Sequence, residues 1–198
     1  MNTAKSLHNK NIEGARYLLA KDYQNAANAF SDVLKADPNN AGALAGVAAL
    51  LYSTGNERAA YGYIQKAVQN DPRNVPQLGL AITIADKLGI FEDVKRYATK
   101  AYKLAPKSAD GIKAYLLYLQ HTTEEREIER LAHKLLTLDK STEAHLNAGT
   151  ALETIGKTIE AIRIYRQAIT DVLAANSPPP HSPRRHSFPR GLKTRYLI

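Results

Sequence analysis

Residues 36–46 read ADPNNAGALAG, and residues 70–80 read NDPRNVPQLGL. In each, an Asp-Pro with an asparagine two residues on interrupts one run of residues, and small or apolar residues open the next. Proline cannot continue a helix and biases the residue before it toward extended backbone, so both stretches stop one helix and restart another. Aligning on the prolines places Pro38, Pro72 and Pro106 at intervals of 34 residues. A fixed spacing of that size marks an array of like units.

Working outward from the prolines gives five units, 7–40, 41–74, 75–108, 109–141 (one residue short) and 142–175, with a lead-in of 1–6 and a tail of 176–198. Position 20 of the unit holds Ala26, Ala60, Val94, Ile128 and Ala161. Position 24 holds Phe30, Ile64, Ala98, Ala132 and Tyr165, and position 27 holds Val33, Ala67, Ala101, Leu135 and Ala168. Positions 20, 24 and 27 share one face of a helix. Gly55, Gly89 and Gly156 fall at position 15, where a first helix should end in a residue free to take positive φ. In the fourth unit that glycine is missing, and Thr122 with Glu125 predicts a capping-box start for the second helix. Two helices of this length cannot bury their apolar faces alone, so stability requires stacking on neighbours.

The pattern resembles the tetratricopeptide repeat family over residues 7–175. The resemblance is carried by Gly14, Tyr17, Ala26, Phe30 and Pro38 in the first unit and by Ala60, Ala67 and Pro72 in the second. It departs at Lys140, which replaces the proline, and at Ile82 and Leu116, which replace a small residue at position 8; there is no tryptophan. Those departures predict weaker packing in units three and four. The resemblance implies an all-α, right-handed superhelical solenoid of antiparallel helix pairs. It further implies that the first helices line a concave groove holding a peptide or helix segment of a partner protein.

Composition narrows the function classes. A chain of 198 residues with 44% apolar and 23% charged residues suits a folded array. The absence of cysteine excludes disulfides, thiolate metal sites and a cysteine nucleophile. The N-terminal residues show no apolar core of a signal peptide, and the most apolar stretch, 41–52, is far shorter than the ~20 residues of a membrane span. A cytoplasmic, unanchored protein is expected. The net charge of +8 is unevenly placed: residues 176–198 contribute five Lys and Arg with no acid, leaving 22 against 19 acids in the body. A nearly balanced body argues against a surface that tracks phosphates, and only the tail could add salt-sensitive affinity for nucleic acid.

On the first helices, positions 4, 7, 8 and 11 form the packing side, which leaves positions 2, 5, 9, 12 and 13 for the groove. In units one and two these include Asn11, Ala15, Leu18, Ala45, Ala49 and Tyr52, a small and apolar surface around one aromatic. In units three to five they include Asp86, Lys113, Gln120, Glu143 and Glu153, polar with an excess of carboxylates. The clamp by which some members of the family hold a C-terminal carboxylate needs cations, and Asn11, Ala15, Gly46, Pro76 and Leu80 supply none. His121, His133 and His145 fall at different positions of the unit, so they do not converge as metal ligands must. No phosphate loop, nucleophile elbow or zinc motif occurs. No catalytic residue, cofactor or small-molecule substrate is expected.

The tail, with Pro178, Pro179 and Pro180 followed by serines and arginines, has the composition of a disordered segment. The reading is a non-enzymatic binding scaffold. Two alternatives stand beside it: the repeat module of a larger enzyme such as a glycosyltransferase, and a nucleic-acid-associated protein acting through the tail. Weak self-association is expected through the last helix, where Ile162, Tyr165, Ile169, Val172 and Leu173 have no following unit to cover them.

Overall fold

The computed structural model describes residues 3–176, and every regular element among them is an α-helix. Five first helices, α1 (Thr3–Leu19), α3 (Ala41–Ser53), α5 (Val75–Lys87), α7 (Ala109–Leu119) and α9 (Thr142–Thr154), alternate with five second helices. Those are α2 (Tyr23–Ala36), α4 (Glu57–Asn70), α6 (Phe91–Leu104), α8 (Glu125–Leu138) and α10 (Thr158–Asn176). Each first helix packs on its own second helix, and successive first helices also touch, α1 on α3, α3 on α5, α5 on α7 and α7 on α9. The first helices therefore form one continuous inner layer. The helix α1 starts ahead of residue 7, so most of the lead-in is helical, and α10 runs to Asn176. The expected disorder of the rest of the tail lies outside the described residues.

The asparagines of the quoted stretches close the restart. Asn40 and Asn74 are the N-caps of α3 and α5, their Oδ1 atoms accepting from the backbone N–H of Ala43 and Gln77 at 3.1 and 3.2 Å. Ser108 and Ser141 do the same for α7 and α9, satisfying donors that a helix start leaves open. At the other end, Gly55, Gly89 and Gly156 take φ of 81, 71 and 77°. In the first unit Lys21 stands at that position with φ 59°, a conformation L side chains rarely adopt.

Unit four turns differently. The helix α7 has only 11 residues, and α8 begins after Glu124 with no side-chain cap. The expected capping box is not formed. Thr122 instead donates its hydroxyl to Leu119 O at 2.8 Å and accepts from Glu124 N, closing the end of α7 rather than opening α8.

Two clusters of buried side chains run along the array. One centres on Ile64, Leu78, Ile82 and Ala98, the other on Leu116, Ile128, Leu131 and Leu152. Ile82 and Leu116 are fully buried, and their presence in place of a small residue is matched by alanines at position 24, Ala98 and Ala132. Where position 24 is aromatic, in Phe30 and Tyr165, position 8 is Gly14 or Gly149, and a Cβ at Gly14 would stand 2.6 Å from the Phe30 ring. Volume is conserved across the pair, which close packing demands. The departures at position 8, Ile82 and Leu116, are thus compensated within the same units.

Positions 3, 7 and 10 of the first helices face the preceding unit. They are buried at Ala43, Gln77, Ala81, Ile84, Ala144, Ala148 and Ala151. In α1 the same positions are Asn9, Glu13 and Arg16, all exposed. The array thus presents a polar first face. Its last helix is the reverse. Leu34, Val68, Tyr102 and Leu136 at position 28 are each packed into a cluster, whereas Ile169 at the same position is 60% exposed, with Ile159, Ile162 and Val172 open beside it.

Candidate functional site

The inner face of α5, α7 and α9 encloses a groove of about 520 Å³. Its wall is built from positions 1, 2, 5, 6 and 9 of three successive first helices, which a period of 3.6 residues brings to one side. Val75, Pro76, Gly79, Leu80, Ala114 and Leu117 give it an apolar floor, and Thr83, Asp110, Lys113, Glu143 and Asn147 a polar rim. Gly79 has open space around it, so the floor dips there.

Lys113 is the electrostatic centre of the rim. Its side chain is only 16% exposed, and its Nζ lies 3.1 Å from Asp110, 3.4 Å from Glu143 and 3.9 Å from Asp139. Burial pulls the ammonium toward neutrality, but the hydrogen bond to Asp110 and the charge of Glu143 outweigh it and leave the pKa raised. Three carboxylates around one ammonium leave this stretch net negative. Asn147 donates to Glu143 O at 2.9 Å, which holds that side chain along the rim.

The residues expected from the sequence fall into three groups. Lys113 and Glu143 meet in the groove just described. Asp86 and Gln120 sit at the far ends of α5 and α7: Asp86 pairs with His121 at 2.7 Å, and Gln120 is the C-cap of α7. Glu153 accepts from the Tyr165 hydroxyl at 2.9 Å, tying α9 to α10. In the first half, Ala15 is exposed, while Leu18, Ala45, Ala49 and Tyr52 are half-buried. Ala45 and Tyr52 pack against the first buried cluster. Asn11 turns to the N-terminal end of α3, where its Nδ2 donates to Asn40 Oδ1 at 2.9 Å.

Sequence reasoning missed the floor. Leu80 stands at position 6 and Leu117 at position 9, and at position 9 the other units carry Ala15, Ala49, Thr83 and Thr150. Position 9 is an expected groove position, but its small or polar residues in the other units give no sign of an apolar Leu117, and position 6 is not among the expected ones. The three histidines do not meet: His121 pairs with Asp86, His133 with Glu160 at 2.7 Å, and His145 is buried against Ser141 O. Among the described residues no group of three or more His, Asp or Glu side chains is placed to hold a metal. No helix there is long and apolar enough to cross a membrane.

Sequence profiles described as tetratricopeptide repeat match residues 17–82 and 142–170. No curated protein sequence matches the chain. Among solved structures it is similar to the MamA protein, at 19% identity and a TM-score of 0.58, over 87% of this chain and 96% of that one. It is similar to PilF of Pseudomonas aeruginosa, at 17% identity and a TM-score of 0.70, over 86% of this chain and 78% of that one. A thermophilic TPR protein of Thermus thermophilus matches at 17% identity and a TM-score of 0.64, over 84% of this chain and 99% of that one. At such identities the likeness shows the fold alone, an all-α, right-handed solenoid of antiparallel helix pairs. With its helix pairs, its position-15 turns and both profile matches in agreement, the chain belongs to the tetratricopeptide repeat proteins.

Proposed function

We propose that the chain is a non-enzymatic scaffold that holds a peptide or helical segment of a partner protein along its inner face. The observation that carries this reading is the groove over α5, α7 and α9. An apolar floor gives affinity by removing partner side chains from water, and a charged rim gives orientation and rejects wrong partners. Tetratricopeptide repeats commonly serve as interaction modules, which agrees with a groove that offers an apolar floor and a charged rim.

On this reading the partner places an apolar side chain between Leu80 and Leu117 and a cationic or amide group toward Asp110 and Glu143. On the same reading the partner makes a second apolar contact at Tyr52, with Leu18, Ala15, Ala45 and Ala49 as the neighbouring groove positions. The test is site-specific photo-crosslinking. A benzophenone side chain at Thr83, in the groove, should capture a partner segment that the same group at the exposed Lys66 on α4 does not. Leu80→Glu should abolish that capture. Equal capture from both positions, or capture that survives Leu80→Glu, removes the groove as the binding surface.

A further inference from the structure

At the N-terminal ends of α1, α3 and α5 a second concavity, of about 330 Å³, is lined by His8, Asn11, Asp37, Asn40, Asp71 and Gln77. Its polar side chains present acceptors. Asp37 accepts from Asn40 Nδ2 at 3.0 Å and Asp71 from Asn74 Nδ2 at 3.0 Å. Among the described residues neither carboxylate pairs with a cation. Asn40 Oδ1 already accepts from Ala43 N, so Asn11 must donate its Nδ2 to that oxygen and leave its own Oδ1 as an acceptor. That Oδ1 is buried and has no partner among the described residues. The same holds for Gln77 Oε1, on a side chain only 8% exposed. Two orphaned amide oxygens are costly unless something donates to them, and the two carboxylates beside them accept hydrogen bonds but have no cation among the described residues.

We infer that this notch is a subsite for a guanidinium, the side chain of an arginine on the bound partner. A guanidinium is planar, carries five N–H donors in a fixed fork and is always charged, so it can meet amide and carboxylate oxygens together. A metal ion fits less well. It needs ligands converging on one point, and no group of three or more acidic or histidine side chains converges here among the described residues. An anion is repelled by Asp37 and Asp71. Gln77 of the notch follows directly on Val75 and Pro76, which line the groove over α5 and α7, so an extended segment can occupy both. The inference rests on the groove reading for the source of the arginine, but the recognition chemistry is testable without any partner.

The probe is Nα-acetyl-arginine N-methylamide, titrated into the full ¹⁵N-labelled chain and compared with the neutral, nearly isosteric acetyl-citrulline N-methylamide. The arginine probe should shift the Asn11 side-chain amide and the Gly42 backbone amide saturably. The citrulline probe should bind about tenfold or more weakly, as expected when the charge on a hydrogen-bond donor is removed. Gln77→Leu, close in size and therefore compatible with the fold, and Asp71→Asn should each weaken the arginine probe about fivefold or more while leaving resonances of α8 and α9 in place. Shifts that do not saturate, equal binding of the citrulline probe, or affinity unchanged in both variants overturns the proposal. So does saturable movement of the same resonances by calcium chloride alone, which would make the notch a metal site. Saturable arginine binding together with failed crosslinking from Thr83 sinks the groove reading and leaves the notch standing; the opposite result does the reverse.

Discussion

Gly149 lies directly beneath the ring of Tyr165, so close that a Cβ on the glycine would fall within the ring's own van der Waals surface. The Tyr165 hydroxyl reaches Glu153 at 2.9 Å, which fixes the ring where it blocks that space. Gly149→Ala should therefore destabilise the last unit by ~1–3 kcal/mol, the usual cost of forcing extra volume into a packed contact. Pairing it with Tyr165→Leu should recover part of the loss, because the smaller side chain vacates the ring plane. A double-mutant cycle by urea unfolding checks this, and additivity of the two changes counts against a direct contact.

Ala60 and Ala67 are completely buried on α4, within the first cluster. Ala60→Leu and Ala67→Leu are expected to cost ~1–3 kcal/mol each. For a protein of this length that lowers the melting temperature by roughly 2–4 °C per kcal/mol. Melts of both variants matching the parent within about a degree would show that these positions tolerate volume and are not the contact between helices.

Tyr52 separates binding from folding less cleanly than an exposed residue would, since part of its ring packs on the first cluster. Tyr52→Ala should weaken the partner complex by ~2 kcal/mol or more and also lower the melting temperature by a few degrees. Asp86→Lys should act chiefly on association rate and salt dependence, as charges on a rim do. Titration of both variants with the crosslinked partner segment decides between them. Unchanged affinity for Tyr52→Ala confines binding to the groove over α5, α7 and α9.

Acid should loosen α8 early. The Glu127 carboxylate is held below its ordinary range first by hydrogen bonds from Arg130, at 2.5 and 2.8 Å, against a smaller opposing effect of burial. A folded pKa below the unfolded value means the stabilisation is present above the unfolded pKa near 4.3 and is lost as pH falls through the folded one. Asp139 behaves likewise, held down first by the backbone N–H of Ser141. Stability by urea unfolding should fall steadily from about pH 5 downward, and Glu127→Gln should flatten that fall. A variant with the parent's slope removes Glu127 from the acid response.

The rhythm of the fold is legible in the sequence because its determinants repeat. The starts of α3, α5 and α7 stand 34 residues apart, and the glycines at position 15 take positive φ as a helix end requires. Features carried by one unit alone are not legible. Lys21 adopts the conformation its glycine counterparts do without any composition to announce it. Thr122 and Glu125 have the spacing of a capping box, yet the shortened α7 leaves the threonine nearer to Leu119 O. The helix geometry places Lys113 on the inner face but does not foretell that Asp139, at the end of α8, joins Asp110 and Glu143 around it. Gln77 is a surface residue by type, buried because position 3 meets the preceding unit.

The two buried clusters meet at α7. Tyr102 of α6 stacks on Tyr115 of α7 with ring centroids 4.7 Å apart, and Tyr115 and Tyr118 lie against both clusters. Stacked flat rings, together with Ala114 and Leu116 of α7, thus bridge the two clusters. Because α7 also carries Lys113, Ala114 and Leu117 on its inner side, the helix that joins the two clusters is also the middle wall of the groove. A single volume change at Tyr115 is therefore felt on both sides at once, in the buried seam between the clusters and in the helix that walls the groove.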